Sequence, residues 1–323
     1  MRNTTLTLVP GIKVGHHTLN ERPTGCTVIL AEAGATAGVD VRGAAPATRE
    51  TDLLAPVNSV QQVHAIVLTG GSAFGLDSGA GVMRYLEERE LGYPFGPARV
   101  PIVPGAALFD LGVGDPLVRP TAACGYLAAQ SATSDPAPEG NVGAGAGATI
   151  GKALGMDRAM KAGVGTAAAT MTGGLIVAAL VVLNAFGDVI DPATGRIVAG
   201  ARGADGRVLA DARKMLRAGL LRFEPGNTTL GVVATNAALT KTEATRVAQM
   251  AHDGFARAIA PSHTPVDGDV IFTLATGERP GAAAPGIIGA LAAEVVADAI
   301  VRAATQADGL PGLPAVRDFS TIP

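Results

Sequence analysis

Residues 224–236 read "EPGNTTLGVVATN": a Pro225-Gly226 turn, a polar Asn227-Thr228-Thr229 step, then an apolar run. Pro and Gly together bend the chain, and the run from Leu230 onward has the character of a strand. The polar step therefore stands at the mouth of a strand that enters the core. Neighbouring side chains on a strand point to opposite faces, so Thr229, the rival to Thr228 as a reactive hydroxyl, faces away from it and ranks well below it.

Outward from this stretch, short apolar runs and helical patterns follow one another. "LIVAALVVLNAF" (175–186) reads as a strand buried on both faces, with Asn184 near its end. "GCTVIL" (25–30), "VHAIVLTG" (63–70) and "GDVIFTLAT" (268–276) read as further strands. "GLDSGAGVMRYLEERE" (75–90) reads as a helix with Leu76, Val82 and Leu86 on one side. Thr240-x-x-Glu243 forms a capping box, after which Val247, Met250, Ala251, Phe255, Ala258 and Ile259 recur at helical spacing. A second long helix spans 284–306, with Ile288, Leu291, Val295 and Ile300 along one face. Residues 131–148 read as a loop and 197–226 as a helical linker of modest order. Strands and helices in comparable number, without strict βαβ order, predict a layered sheet-and-helix sandwich.

Composition narrows the function classes. The chain has 323 residues, 48% hydrophobic and 16% charged, which describes a compact globular protein with a sizeable core. A net charge of −3 without a Lys/Arg run argues against nucleic-acid or membrane-surface partners. With 3% aromatics and no Trp, a base- or sugar-stacking platform is not expected. Cys26 and Cys124 make neither a disulfide scaffold nor a metal site, so a reduced, cytoplasmic setting is expected. The N-terminal stretch lacks a signal-peptide pattern, and the apolar run Leu175–Leu183 is about half the roughly 20 residues of a membrane span.

Several familiar motifs fail on inspection. In "GGSAFG" (70–75), Phe74 stands where the nucleophile elbow Gly-x-Ser-x-Gly needs Gly. In "NVGAGAGATIGK" (141–152), Ala146 and Ala153 break the phosphate-loop pattern. His16 and His17 are adjacent and unsuited to share a metal, and His252 and His263 read as structural or surface residues. What remains is Thr228, the carboxylate pair Asp267 and Asp269 in "VDGDVIF", Lys152 at the end of the glycine-rich stretch, and Asn184. Two residues apart at a strand start, the carboxylates are expected to share a face, where each raises the other's pKa unless a cation lies near.

Six blocks occur in order: "VPGIKVGHHT…RPTGCTVIL", "IVLTGGSAFGLDSGAGVMRYLEE", "NVGAGAGATIGK", "VVLNAFGDVID", "GNTTLGVVATNA" and "HTPVDGD". Together, over about residues 8–305, they resemble the self-processing hydrolases that include the L-aminopeptidase/D-Ala-esterase, the β-aminopeptidases, a pantetheine hydrolase and the nylon-oligomer (6-aminohexanoate oligomer) hydrolase. The resemblance implies an α/β fold, a four-layer αββα sandwich of the N-terminal-nucleophile hydrolase type. It also implies one catalytic domain over 1–323, cut between Asn227 and Thr228 into chains 1–227 and 228–323, and a homo-oligomer, here a homotetramer. No cofactor or metal is implied; the partner is a small-molecule or short-peptide amide.

Carried over by position, the resemblance makes Thr228 the nucleophile, Asn184 the oxyanion-side amide, and Asp267, Asp269 and Lys152 the charged network of the nylon-oligomer branch. The aminopeptidase branch has a Tyr near position 151 and Ser-x-Glu in place of Asp-x-Asp. This chain has neither, which moves weight toward the nylon-oligomer and pantetheine-hydrolase side. The chemistry stands beside the resemblance. A threonine hydroxyl is a weak nucleophile, but a free α-amino group on the same residue serves as its base, with a reference pKa of roughly 7.7–8.0. That amine exists only after the bond before Thr228 is broken. Aminopeptidase or β-aminopeptidase activity, pantetheine-type amide hydrolysis, and an uncut, non-catalytic metabolite-binding protein are the alternatives.

Overall fold

The computed structural model describes residues 3–319 apart from 207, 280, 282 and 283, so the extreme ends of the domain expected over 1–323 lie outside them. Among these residues the main sheet has nine strands: β1 (Lys13–Thr18), β2 (Gly25–Val41), β3 (Ala47–Arg49), β4 (Val63–Thr69), β5 (Gly105–Ala107), β6 (Val164–Thr170), β7 (Ile176–Asn184), β8 (Thr228–Ala237) and β9 (Val270–Arg279). Helices α1 (Ser78–Glu87), α2 (Ala122–Gln130), α3 (Lys241–Ala258) and α4 (Pro285–Thr305) cover it. The strand path is β6-β7-β8-β9-β2-β4-β5-β3, with β1 beside β2. Pairs β8–β9 and β4–β5 are parallel, and β7–β8, β9–β2 and β2–β4 are antiparallel.

Period-2 alternation turns this path into layers. On β7, Val177, Ala179, Val181 and Leu183 pack with Val247, Phe255, Val296 and Ile300 of α3 and α4. The intervening Ala178, Leu180 and Val182 join Ile66 and Leu68 of β4 in a second core between two sheet layers. The other face of β4, Ala65 and Val67, packs on Val82 and Leu86 of α1. The 17-residue β2 belongs to both layers. Its first part pairs with β1 and β4, its last part pairs with β9, and the register shifts between Leu30 and Ala35. The result is helices, sheet, sheet, helices, the four-layer α/β sandwich that the resemblance implied.

The local signals mostly hold. The capping box is formed, with Glu243 N donating to Thr240 Oγ1 and Thr240 N donating to Glu243 Oε2 at 2.8 Å. Four expectations need correction. The strand read at 25–30 continues to Val41, because its second half finds β9 as a partner. The helix read from 75 opens as a 3-10 turn, Ser72–Asp77, before α1. The linker 197–226 holds one short helix, Ala212–Arg217, and a strand, Ile197–Ala199, but is otherwise irregular. Cys26 and Cys124, read as unpaired, are joined by a disulfide that ties β2 to α2. Their 98-residue separation in sequence hid a contact made only when the outer layers assemble.

Candidate active site

Strand register brings the expected residues together. Thr228 pairs with Asn184 across β7 and β8, and each lies in phase with the residues that fill the inter-sheet core. Both side chains therefore open toward the gap between the sheets, at its end. Asn227, one residue earlier, bridges in parallel to Asp267, which brings the 267–269 turn alongside. Thr228, Asn184, Lys152, Asp267, Asp269 and Asn227 are all buried.

The bond between Asn227 and Thr228 is gripped on both sides. Thr228 Oγ1 donates to the Asn227 carbonyl oxygen at 2.5 Å, and the Gly268 backbone N–H donates to the same oxygen at 2.8 Å. A side chain at Gly268 has no room, since its Cβ would fall 2.7 Å from Thr228 Oγ1 and 2.5 Å from the Ala45 carbonyl oxygen. Gly226, just before, has φ +112°, and a Cβ there would meet Phe109 Cδ1 at 2.8 Å. Thr229 looks the other way, as the face argument required, and its hydroxyl is buried with no hydrogen-bond partner among the described residues.

Asn184, expected beside the carbonyl under attack, reaches a different one. Its Nδ2 donates to the Gly226 carbonyl at 3.2 Å and to the Phe109 carbonyl at 3.0 Å. Its Oδ1 accepts from Thr149 N at 3.0 Å, Thr149 Oγ1 at 3.2 Å and Lys152 Nζ at 3.0 Å, which fixes the orientation of the amide. Lys152 Nζ also donates to the Asn184 backbone carbonyl at 3.1 Å and to the Gly226 carbonyl at 3.0 Å. In its protonated form all three of its donors are thus committed to neutral oxygens. Burial pulls the Lys152 pKa down to about 7, and the charges of Asp267, Asp269 and Asp110 act against that pull.

The carboxylates do not share one strand face, because β9 begins only at Val270. Asp267 turns back on its own loop, Oδ2 accepting from Thr264 N at 2.8 Å and Thr264 Oγ1 at 2.6 Å. Burial raises its pKa to about 6, with the neighbouring Asp269 charge adding to the rise and the Thr264 bonds and Lys152 opposing it. Asp269 Oδ1 accepts from Thr229 N at 2.7 Å, so this carboxylate holds the backbone just after Thr228. Its Oδ2 accepts from His263 Nδ1 at 2.7 Å. His263, read as structural or surface, is therefore part of the network, at a left-handed φ of +54° and with its ring against Phe255 and His252. The sequence reading also missed Gly268, although its position between the two Asp residues was in plain view.

A second shell of buried groups supports the loop that carries Phe109. Asp110 accepts from Arg22, from Thr24 Oγ1 at 2.6 Å and from Gly71 N at 2.8 Å. A cavity of about 50 Å³ lies beside the Asn227–Thr228 bond, lined by Phe109, Val113, Thr149, Lys152 and Met156, and by residues 224–227 themselves. A wider surface depression of about 610 Å³, lined by residues such as Thr166, Asp191 and Arg302, shares no residue with this cluster.

Two packed sheets between helical layers, with the Thr228 strand mouth opening between them, define an N-terminal-nucleophile-type hydrolase fold. The comparisons with known proteins place the chain within that class. Residues 4–316 match the model of peptidase family S58, and the chain belongs to that family. An aminopeptidase of Mycobacterium tuberculosis, described as uncharacterized, is 43% identical over 342 residues, covering 97% of both chains. The 6-aminohexanoate-oligomer endohydrolase of a Kocuria strain is 35% identical over 311 residues, covering 91% of this chain and 84% of that one. Among solved structures, a Burkholderia β-aminopeptidase superposes with a TM-score of 0.70 at 25% identity, covering 100% of this chain and 96% of that one. The L-aminopeptidase D-Ala-esterase/amidase of Ochrobactrum anthropi shares the fold, with a TM-score of 0.71 at 20% identity, covering 97% and 90%. The protein is a hydrolase acting on amide bonds.

Proposed function

We propose that the chain cuts itself between Asn227 and Thr228 and then works as an N-terminal-threonine amidohydrolase on small linear amides, of which 6-aminohexanoate oligomers are the model. The observation that carries this is the convergence of Thr228 Oγ1 and the Gly268 N–H on the Asn227 carbonyl. In the first reaction Oγ1 adds to the Asn227 carbonyl carbon while Gly268 N–H donates to the developing oxyanion. The bond to the Thr228 nitrogen then breaks, and that nitrogen takes up the hydroxyl proton. Water hydrolyses the resulting ester, leaving Asn227 as a carboxylate and Thr228 with a free amine and hydroxyl.

In the second reaction the Thr228 amine takes the hydroxyl proton as Oγ1 attacks the substrate carbonyl, then gives it to the departing amine. Water frees the acyl group from the ester. Asp269 holds the strand mouth through Thr229 N, while the Lys152 charge offsets the mutual repulsion of Asp267 and Asp269. A homotetramer or other homo-oligomer belongs to the same reading and rests on the family resemblance; cytoplasmic residence was expected from two cysteines read as unpaired, and the Cys26–Cys124 disulfide removes that support. No helix among the described residues is long and apolar enough to cross a membrane. Release of N-terminal residues from peptides is the second reading, favoured by the description of the 43%-identical relative as an aminopeptidase.

Intact-mass measurement tests the first reaction: pieces 1–227 and 228–323 are expected, and one uncut chain from the wild type would instead favour the metabolite-binding alternative. A hydrolysis panel on processed protein tests the second. It sets 6-aminohexanoate oligomers against α- and β-aminoacyl anilides and pantetheine-like amides.

A further inference from the structure

The residues before the cut are the first acyl group this site handles, so their contacts describe its acyl-side subsite. Thr228 is fixed by its pairing with Asn184, by Thr229 N on Asp269 and by the Leu230–Val270 register. Its hydroxyl therefore meets an external carbonyl where it meets that of Asn227. One residue further back, the Gly226 carbonyl accepts from Lys152 Nζ at 3.0 Å and Asn184 Nδ2 at 3.2 Å. Neither donor is free to turn away. The amide of Asn184 is held by Phe109 and Thr149, and Lys152 by Asn184 itself. When residues 224–227 leave, each keeps one N–H in a buried place without an acceptor, and such a place disfavours any ligand that cannot fill it.

We propose that Lys152 and Asn184 form a subsite for a second carbonyl of the substrate, separated from the carbon under attack by one nitrogen and one carbon. The preferred substrates are then amides whose acyl half is itself an N-acylated amino acid. The inference rests on the amidohydrolase reading and narrows its substrate class. The positive φ of Gly226, open to glycine alone, and the closeness of Phe109 add a second requirement: the acyl cap is unbranched next to its carbonyl.

Four p-nitroanilides offered to processed wild-type protein test this. Acetylglycyl p-nitroanilide has both carbonyls. Pentanoyl p-nitroanilide has the same chain length without the second carbonyl, glycyl p-nitroanilide has a free amine, and isobutyrylglycyl p-nitroanilide adds the branch. The expected result is a kcat/KM for the acetylglycyl compound about 10²-fold above the pentanoyl and glycyl compounds, and above the branched compound by about tenfold. Equal values for acetylglycyl and pentanoyl compounds overturn the subsite while the amidohydrolase reading stands. A preference for the glycyl compound overturns it in favour of free-amine recognition. Turnover of none of the four overturns the amidohydrolase reading and the subsite with it.

Discussion

Thr228 and Gly268 meet at one oxygen: the hydroxyl of the first and the backbone N–H of the second both donate to the Asn227 carbonyl, at 2.5 and 2.8 Å. The donor at Gly268 belongs to the backbone and survives substitution, but the space beside it does not. Gly268→Ala would place a Cβ 2.7 Å from Thr228 Oγ1, so the hydroxyl or the turn has to move. Displacing a reacting atom by about 1 Å can cost on the order of 10²-fold in rate. Self-cleavage of Gly268→Ala is expected to slow by at least that much, read as persistence of the full-length band over time on a denaturing gel. Wild-type cleavage kinetics in this variant would remove Gly268 from the site.

The two threonines separate cleanly. Thr228→Ala is expected to remain uncut and to hydrolyse nothing, while Thr228→Ser keeps a hydroxyl and is expected to process. Thr229→Val should process normally. The Thr229 hydroxyl is buried without a partner, so replacing it with a methyl group removes a desolvation cost of about 1–3 kcal/mol. Thermal melting of Thr229→Val in the uncut Thr228→Ala background is expected to be unchanged or higher. A lower midpoint would mean that the hydroxyl has a bond not accounted for.

Much of the fold could be read wherever periodicity decides it. The continuous apolar, β-branched run on Ile176–Asn184 and the helical spacing after Thr240 are local signals, and both elements form within a residue or two of expectation. Thr228 stood out because a turn, a hydroxyl and a strand follow one another directly. The facing carbonyl of Asn184 could not be read. It depends on how far β7 slides against β8, and 43 intervening residues leave that register to tertiary packing. His263 was hidden for a related reason: its partner is six residues away in sequence, but only the left-handed turn at His263 brings the ring back onto Asp269.

In the proposed mechanism His263 is a positioning residue, acting on Thr228 through Asp269 and Thr229 N. Removing its ring leaves a buried carboxylate oxygen with only the weaker His263 N contact at 3.3 Å. His263→Ala is expected to lower kcat by about tenfold or more with KM little changed, since 1–3 kcal/mol is lost from an oriented carboxylate and not from a substrate contact. His263→Asn tolerates the left-handed backbone and retains a side-chain donor, so partial recovery of kcat is expected. If His263→Ala raised KM alone, the residue would belong to the substrate surface.

The buried lysine gives a pH dependence with a definite sign. Burial holds Lys152 at about 7 in the folded chain, whereas an unfolded lysine titrates at roughly 10.4. Between these values the unfolded state binds a proton that the folded state has released, so stability rises with pH, by at most about 1.4 kcal/mol per pH unit for one group. Asp267 has the opposite sign, but its window ends near its raised value of about 6, so it is ionised in both states above neutrality. Lys161, also lowered to about 7 by burial, adds a second rise of the same sign. Urea midpoints at pH 7.5 and 9.5 for the uncut Thr228→Ala chain, with and without Lys152→Met, isolate the first contribution because Lys161 is common to both. The Lys152→Met chain is expected to gain less stability over this interval than its parent. Equal gains would mean that Lys152 keeps its proton throughout and meets the Gly226 carbonyl as a full cation.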